Sequence, residues 1–310
     1  MERRCNACEG ELAPALTQVK DPQSLDAFDV LRCRACGLGH THPIPPDLGA
    51  YYGPDYYGKR HGFTDKVCLA RRMRIVGAPH GGGRLLDLGC GDGNFALAAG
   101  AAGWRSAGVD IGAALANARA SGLDAYATAE EAAERHGPFD TITMWHTLEH
   151  FPDPSATLAT VRANLARGGV FVCAVPDAAG LQASLFGARW FHLDVPRHLY
   201  HFTRAALTGL LERRGFEVVR WHHQEIENDV FGWMQSALNA VLPAPNVLFQ
   251  SLTGKRTHGG PAQKALSFAL GAAIAPASMA ATALGTATKR GAAMIAVCRA
   301  SSEAEERHPP

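Results

Sequence analysis

The chain has 310 residues, a length that suits about two domains, of which 47 % are hydrophobic and 19 % charged, the profile of a soluble protein with an ample core. Thirty Lys and Arg against 29 Asp and Glu leave a formal charge of +1, which excludes a protein that recruits nucleic acid or anionic lipid through a global field. No apolar stretch follows Met1-Glu-Arg-Arg-Cys5, so no signal peptide is expected. Eight cysteines without one point to a reducing, cytoplasmic setting and to metal or free thiols over disulfides.

Four of the cysteines come first, as Cys5-x-x-Cys8 and Cys33-x-x-Cys36 across a 24-residue spacer. Each pair puts two thiolates on one turn, and two such turns complete a tetrahedral site. The pattern resembles a zinc ribbon over residues 1–45, with Gly37 permitting a tight turn after the second pair. Such a zinc is structural, since four thiolates leave no open position. Cys68, Cys90, Cys173 and Cys298 stand alone in apolar or Gly-rich contexts and are expected to pack. Residues 46–82 read as a linker with a leading helix. His42-Pro-Ile-Pro-Pro46 breaks the chain, and Tyr51, Tyr52, Tyr56 and Tyr57 suit either a substrate-facing lip or packing at a domain junction. A basic helix is predicted over Thr64–Val76, ended by Pro79-His-Gly-Gly-Gly83.

Over residues 83–300 short apolar runs alternate with Ala-rich stretches. Strands are predicted at Arg84–Leu88, Ser106–Val109, Phe139–Met144, Val170–Val175, Phe216–Trp221 and Ala292–Cys298. Helices are predicted at Asn94–Ala102, Ala113–Ser121, Ser155–Leu165 and Arg204–Arg214. The alternation is that of βαβ units around a doubly wound α/β sheet. Residues 301–310 are polar and expected to be disordered.

Leu85-Leu-Asp-Leu-Gly-Cys-Gly-Asp-Gly93 carries a strand into a glycine loop, whose residues let a backbone turn sharply and approach a ligand. A dinucleotide fingerprint wants glycine where Asn94 stands, and gives no reason for Asp87. Asp110 ends the next strand, where doubly wound folds place a ribose-binding carboxylate. Together with Phe139–Pro154, Arg167–Pro176 and Phe202–Phe216, these motifs resemble the class I S-adenosylmethionine-dependent methyltransferases. The resemblance covers roughly residues 80–225 and 291–300. It implies a Rossmann-like seven-stranded sheet with the last strand antiparallel, and S-adenosylmethionine as cofactor. It assigns Asp87, Gly89, Gly91 and Gly93 to the methionine end of that cofactor and Asp110 to the ribose. Ile111 and, loosely, Glu130 fall beside the adenine, and Met144 and Trp145 near the transferable methyl group. A ribbon ahead of such a domain is similar to a bacterial subgroup that includes sugar C-methyltransferases.

Methyl transfer needs alignment above all, and a base only where the nucleophile sheds a proton. His146, Glu149 and His150 share one face if their segment is helical, so an imidazole oriented by a carboxylate is feasible; an anchoring role for the loop is the alternative. Trp190–Phe202 gathers His192, His198 and His201 with Arg197 and Tyr200. His198 is a second candidate base, and Arg197, Tyr200, His201 and Trp233 are candidate acceptor contacts, packing of a loop being the other reading. Residues 225–290 form a helical insertion before the last strand, a lid, an oligomer contact or, over 243–290, a peripheral membrane contact. Its stretch Ala265–Thr288 has no charge. The leading expectation is a methyltransferase for a small-molecule acceptor such as a sugar or a quinone-like compound. The alternatives are an rRNA or tRNA methyltransferase and a non-catalytic cofactor-binding scaffold. Residues 1–40, with five basic and six acidic side chains, make a poor phosphate footprint, so nucleic acid is not expected as partner.

Overall fold

The computed structural model describes residues 4–52, 63–79, 81–223 and 225–301. Tyr56 and Tyr57 and the polar tail therefore lie outside the described residues. In chain order the elements are β1 (Leu12–Lys20), β2 (Ala27–Cys33), β3 (Gly39–His42), α1 (Phe63–Val76), β4 (Arg84–Leu88), α2 (Asn94–Ala101) and β5 (Arg105–Val109). There follow α3 (Gly112–Ala120), β6 (Ala125–Tyr126), α4 (Ala129–His136), β7 (Phe139–Trp145), α5 (Pro154–Asn164), β8 (Leu165–Pro176) and α6 (Leu181–Phe186). The chain closes with β9 (Tyr200–His201), α7 (Arg204–Arg213), β10 (Phe216–His222), α8 (Ile226–Val241), α9 (Val247–Leu252), α10 (Pro261–Ala287) and β11 (Ala293–Ala300).

These divide into two units. One is drawn from residues 1–60, 176–207 and 223–294, the other from 61–175, 208–222 and 295–310. In the second unit a seven-stranded sheet runs β10-β11-β8-β7-β4-β5-β6. β4 pairs parallel with β5 and β7, β5 with β6 and β7 with β8, while β10 and β11 pair antiparallel. The sequence places every strand of this sheet but β6, whose two residues are too few for a pattern. β4 reads Arg-Leu-Leu-Asp-Leu and is buried from Leu85 to Leu88, the near-continuous apolar run of a strand covered on both faces. Helices settle on the sheet through small residues: Ala96, Ala99 and Ala118 are fully buried. Their ends are defined by side chains. Thr128 accepts from the Glu131 amide and Asp153 from the Ala156 amide, with Pro154 opening α5.

The other unit joins three segments that the sequence reads separately. β1, β2 and β3 form an antiparallel meander, and β9, from the connector after β8, adds the fourth strand through Gly39↔His201 and His40↔Tyr200. Its core gathers Val19, Phe28 and Val30 of the meander with Trp190, Leu193 and Val195 of the connector. The insertion is helical as expected: α10 packs on α8 and α9.

Candidate active site

β4 delivers Asp87 to the start of the glycine loop with 3 % of its surface exposed. Its Oδ1 accepts a hydrogen bond of 2.6 Å from the Thr143 hydroxyl on β7. Burial pushes this carboxyl up to about 7, against the pull of the Thr143 hydrogen bond and the Arg72 cation. The loop itself is pinned to the end of β5, because the Gly89 and Cys90 amides both donate to the Val109 carbonyl. Gly89, Gly91 and Gly93 all have positive φ, at 75°, 60° and 85°, a region open to glycine at little cost. Two of them differ in what a side chain would meet. A Cβ on Gly89 would lie 2.2 Å from Thr147 Cγ2, whereas one on Gly91 would meet nothing within 4 Å. Gly89 is thus required by close packing, and Gly91 leaves open space over the loop.

Asp110 closes the loop from β5. Its Oδ2 accepts from the Gly91 amide at 2.8 Å and its Oδ1 from the Ile111 amide at 2.7 Å. A carboxylate offers about four lone-pair sites, so two remain for ligand hydroxyls. Burial raises its pKa, while the two amides work against that shift. Beside it the Ile111 side chain is 72 % exposed, an uncovered apolar surface next to a polar acceptor. That combination, with the open side of Gly91, fits the ribose and adenine of a nucleoside-bearing cofactor. Glu130 is exposed in the first turn of α4, next to Glu131, whose carboxylate accepts from the Ala127 amide.

Met144 and Trp145 are corrected by the structure. Met144 is fully buried, and Trp145 lies in the core edge-on to Phe95 at 5.3 Å, with the Arg72 guanidinium 4.8 Å from its ring. Their side chains hold the sheet and its helices together. The strand end that follows carries the polar groups. His146 sits at φ 56°, a conformation that few residues other than glycine and asparagine adopt. Its amide donates to the Ala174 carbonyl. The segment after it is a short helical turn, Leu148–His150, with His146 outside it, so the shared helical face of the sequence reading does not form. The left-handed backbone brings the pair together instead, placing His146 Nδ1 3.6 Å from Oε1 of the fully buried Glu149. His150 is half-buried at the end of the turn. Thr143 and Thr147 escaped the sequence reading, because threonine in and after a strand looks like β propensity. Yet Thr143 holds Asp87, and Thr147 covers Gly89 while donating to the Leu88 carbonyl.

In the other unit the four cysteines converge. Their sulfurs all lie within 4.8 Å of one another, with Cys5–Cys36 at 3.6 Å and Cys8–Cys33 at 3.5 Å, and none is in a disulfide. Zinc–sulfur bonds of about 2.3 Å give a tetrahedron with edges near 3.8 Å, so the spacing suits that ion. The Ala7 amide points to Cys5 Sγ and the Cys36 amide to Cys33 Sγ. A Cβ on Gly10 would fall 2.9 Å from Cys33 Sγ, so the cluster needs glycine there as well as at Gly37, where φ is 78°. His40 Nε2 lies 3.3 Å from Cys5 Sγ, and burial lowers its pKa to about 4, which keeps the ring neutral.

The Trp190–Phe202 cluster is turned inward. Arg197, expected to take the acceptor, is 3 % exposed and donates to Asp21 at 2.7 Å, to Asp194 at 2.6 Å and to the Tyr51 carbonyl. The Tyr200 hydroxyl accepts from Asn6 Nδ2, and His201 Nε2 meets the Thr41 hydroxyl at 3.0 Å. Burial drives the His201 pKa down to about 3. These three residues tie the connector to the meander, which replaces the acceptor role read from the sequence. His198 is buried as well, its Nδ1 2.9 Å from the His192 carbonyl. Trp233 stacks edge-on to Phe186 at 5.6 Å.

A family model described as "Methyltransferase domain" matches residues 60–220, just over half of the chain. The chain belongs to this methyltransferase family. The sheet order and antiparallel last strand agree with its class I, S-adenosylmethionine-dependent branch. Among curated relatives, a "Ubiquinone biosynthesis O-methyltransferase" of Aromatoleum aromaticum is 35 % identical over 135 residues. That alignment takes in 40 % of this chain and 57 % of the relative. One of the same name from Cereibacter sphaeroides is 30 % identical over 176 residues, 49 % of this methyltransferase and 71 % of the relative. This chain thus spans about three fifths to seven tenths of the length of those relatives. Among solved structures, coclaurine N-methyltransferase bound to N-methylheliamine and SAH has a TM-score of 0.48 at 14 % identity, over 83 % of this chain and 82 % of that one. A SAM-dependent methyltransferase from Archaeoglobus fulgidus has a TM-score of 0.47 at 17 % identity, over 81 % and 99 %.

Proposed function

We propose that this protein is an S-adenosylmethionine-dependent methyltransferase that methylates a hydroxyl of a small, quinone-like or phenolic acceptor, and that zinc at Cys5, Cys8, Cys33 and Cys36 holds its N-terminal sheet. The observation that carries the first part is the His146–Glu149 pair at the end of β7, 3.6 Å apart, in a domain whose glycine loop and Asp110 suit the donor. The names of the curated relatives favour an oxygen nucleophile and a quinone-like acceptor over a sugar. S-adenosylmethionine, when bound, would supply an electrophilic methyl group, its sulfonium sulfur keeping the electron pair of the broken S–CH3 bond and leaving as a neutral thioether. Asp87 and the glycine loop would hold its methionine end, Asp110 its ribose and Ile111 its adenine. Glu149, buried and facing Nδ1, keeps the imidazole of His146 oriented with Nε2 as the proton acceptor. His146 then takes the proton that the acceptor hydroxyl loses as its oxygen gains the methyl group.

The test is incubation of the full chain with labelled methyl donor and a panel of catechols, hydroxyquinols, nucleotide sugars and transfer RNA. Label should pass to the oxygen of the phenolic members; transfer to RNA alone, or to no acceptor, overturns the reading.

Asp87 adds a pH test. In the folded protein its carboxyl keeps its proton up to about pH 7, while in the unfolded chain it ionises within the usual carboxylate range. This mismatch costs stability in full above pH 7; the cost shrinks as pH falls below 7 and is gone only near the ordinary carboxylate pKa of about 4. The donor carries an ammonium group that needs the ionised form, so binding is strong above pH 7 and weakens below it. By proton linkage the affinity at pH 6 should be about tenfold lower than at pH 8. Calorimetry across that range should show proton release in the wild type and a flat profile in Asp87→Asn. A flat wild-type profile would contradict the assignment of Asp87 to the donor's ammonium.

A further inference from the structure

The insertion is built inside out. The residues that α10 buries are Ser267, Gly271, Ser278, Thr282 and Gly285, small and polar. Those it exposes include Leu266, Phe268, Met279 and Leu284, at 45 to 63 %. At 100° per residue the buried five share one stripe. The opposite face is Ala269, Ala273, Pro276, Ala280, Ala283 and Ala287, flanked on one side by Leu266 and Leu284 and on the other by Phe268 and Met279. A helix on the surface of a soluble domain shows the reverse arrangement, with charged residues outward. Here the helix turns its polar stripe to α8 and α9, whose own buried residues include Gln235, Ser236 and Gln250. The apolar surface continues beyond it through Val241 and Leu252, 70 and 59 % exposed.

Charge identifies what covers this face. The chain as a whole is balanced, yet no Asp or Glu occurs between Asp229 and Glu303. Over residues 230–298 the only formal charges are Lys255, Arg256, Lys264, Lys289 and Arg290, and they stand before and after the uncharged stretch of α10. A second copy of the chain would oppose cation to cation whether two α10 helices met parallel or antiparallel. An anionic lipid surface accepts both features at once, since apolar side chains enter the acyl boundary while Lys and Arg meet the headgroups.

The ends of α10 decide how it lies. Its 27 residues span about 40 Å at 1.5 Å per residue, long and apolar enough to cross a bilayer. Both ends, however, are tied within the same unit. Before it, His258 Nε2 lies 2.7 Å from the Gln23 carbonyl and Gln250 donates to the Pro22 carbonyl. After it, Arg290 donates to the Ala179 carbonyl and the Ser184 hydroxyl. Crossing would break one set of ties; lying in the plane of the surface keeps both. We infer that the outer face of α10 docks this protein in-plane on a bilayer containing anionic phospholipid. The inference does not depend on the acceptor.

The experiment is vesicle co-sedimentation of the full chain at 0.1 and 0.5 M salt. It uses phosphatidylcholine vesicles with and without ~30 % phosphatidylglycerol, an anionic lipid. The chain should bind the anionic vesicles at least tenfold better than the neutral ones, and lose most of that excess at high salt as headgroup attraction is screened. Phe268→Ser/Met279→Ser/Leu284→Ser and, separately, Lys264→Glu/Lys289→Glu should each weaken binding by tenfold or more. All of these side chains are exposed, so circular dichroism should be unchanged. The inference is overturned if the folded wild type fails to sediment or if both variants bind as it does. It is equally overturned by a dimer that the serine variant dissolves, or by retention on RNA in place of vesicles. Calorimetry with S-adenosylmethionine on the same samples reports separately on the methyltransferase reading.

Discussion

Cys33→Ser should take the zinc content of the purified protein from about one per chain to near zero and destabilise the unit that contains the cysteines by several kcal/mol. The magnitude follows from linkage: a structural zinc site contributes its binding free energy to folding, about 10–16 kcal/mol in isolated zinc peptides at neutral pH. Here the loss is smaller than that, because β1, β2 and the connector share an apolar core of Val19, Phe28, Val30, Trp190, Leu193 and Val195 that needs no metal. Three features make Cys33 the sensitive choice. It is 2 % exposed, it ends β2, and its sulfur accepts from the Cys36 amide while lying 3.5 Å from Cys8 Sγ. The measurements are metal analysis and limited proteolysis at increasing chelator concentration. Cleavage sites should open first around residues 4–11 and 33–39. The second unit, held by the seven-stranded sheet, should keep its affinity for the methyl donor. A wild type that is folded and free of metal would refute the zinc assignment.

The sheet and the cofactor loop were legible in the sequence because their signals are local. An apolar run that ends in Leu88 and carries Asp87, three glycines at alternate positions and a carboxylate 19 residues after Gly91 need no tertiary knowledge. The cysteine pairs are legible for the same reason. Arg197 misleads for the opposite one. An arginine among histidines and aromatics looks like a ligand site until Asp21 appears, 176 residues away in the chain, at 2.7 Å. Nor does local sequence show that residues 176–207 supply a strand to the N-terminal meander through only two paired positions. The predicted strand Phe139–Met144 stops one residue short of β7, which takes in Trp145, and strand alternation does not say that both faces of this sheet are covered. α10 is the sharpest case. Its composition shows how apolar it is, while only the packing on α8 and α9 shows that the apolar residues are the ones left outside.

His146→Asn should lower kcat for a hydroxyl acceptor by about 10²–10⁴, the usual span for loss of a general base, with donor affinity unchanged. Asparagine is chosen because His146 occupies φ 56°. That conformation suits asparagine far better than alanine, so the substitution removes the imidazole without straining the turn that carries Glu149. Glu149 acts through His146 as a positioning residue, and Glu149→Gln should change the pH profile of kcat more than its maximum. A neutral amide leaves the ring in place but no longer stabilises the imidazolium that forms as the acceptor is methylated. Loss of Glu149's charge should therefore move the acidic limb of the profile toward lower pH, since protonation of His146 becomes harder. A purely structural role predicts lower stability and no such shift. His146→Gly supplies the converse check, because glycine accepts the backbone conformation at no cost and leaves room for a soluble base. Added imidazole should restore part of its lost rate, in proportion to the concentration of the neutral form. Full activity in His146→Asn would remove this residue from the chemistry and leave the acceptor hydroxyl to lose its proton elsewhere.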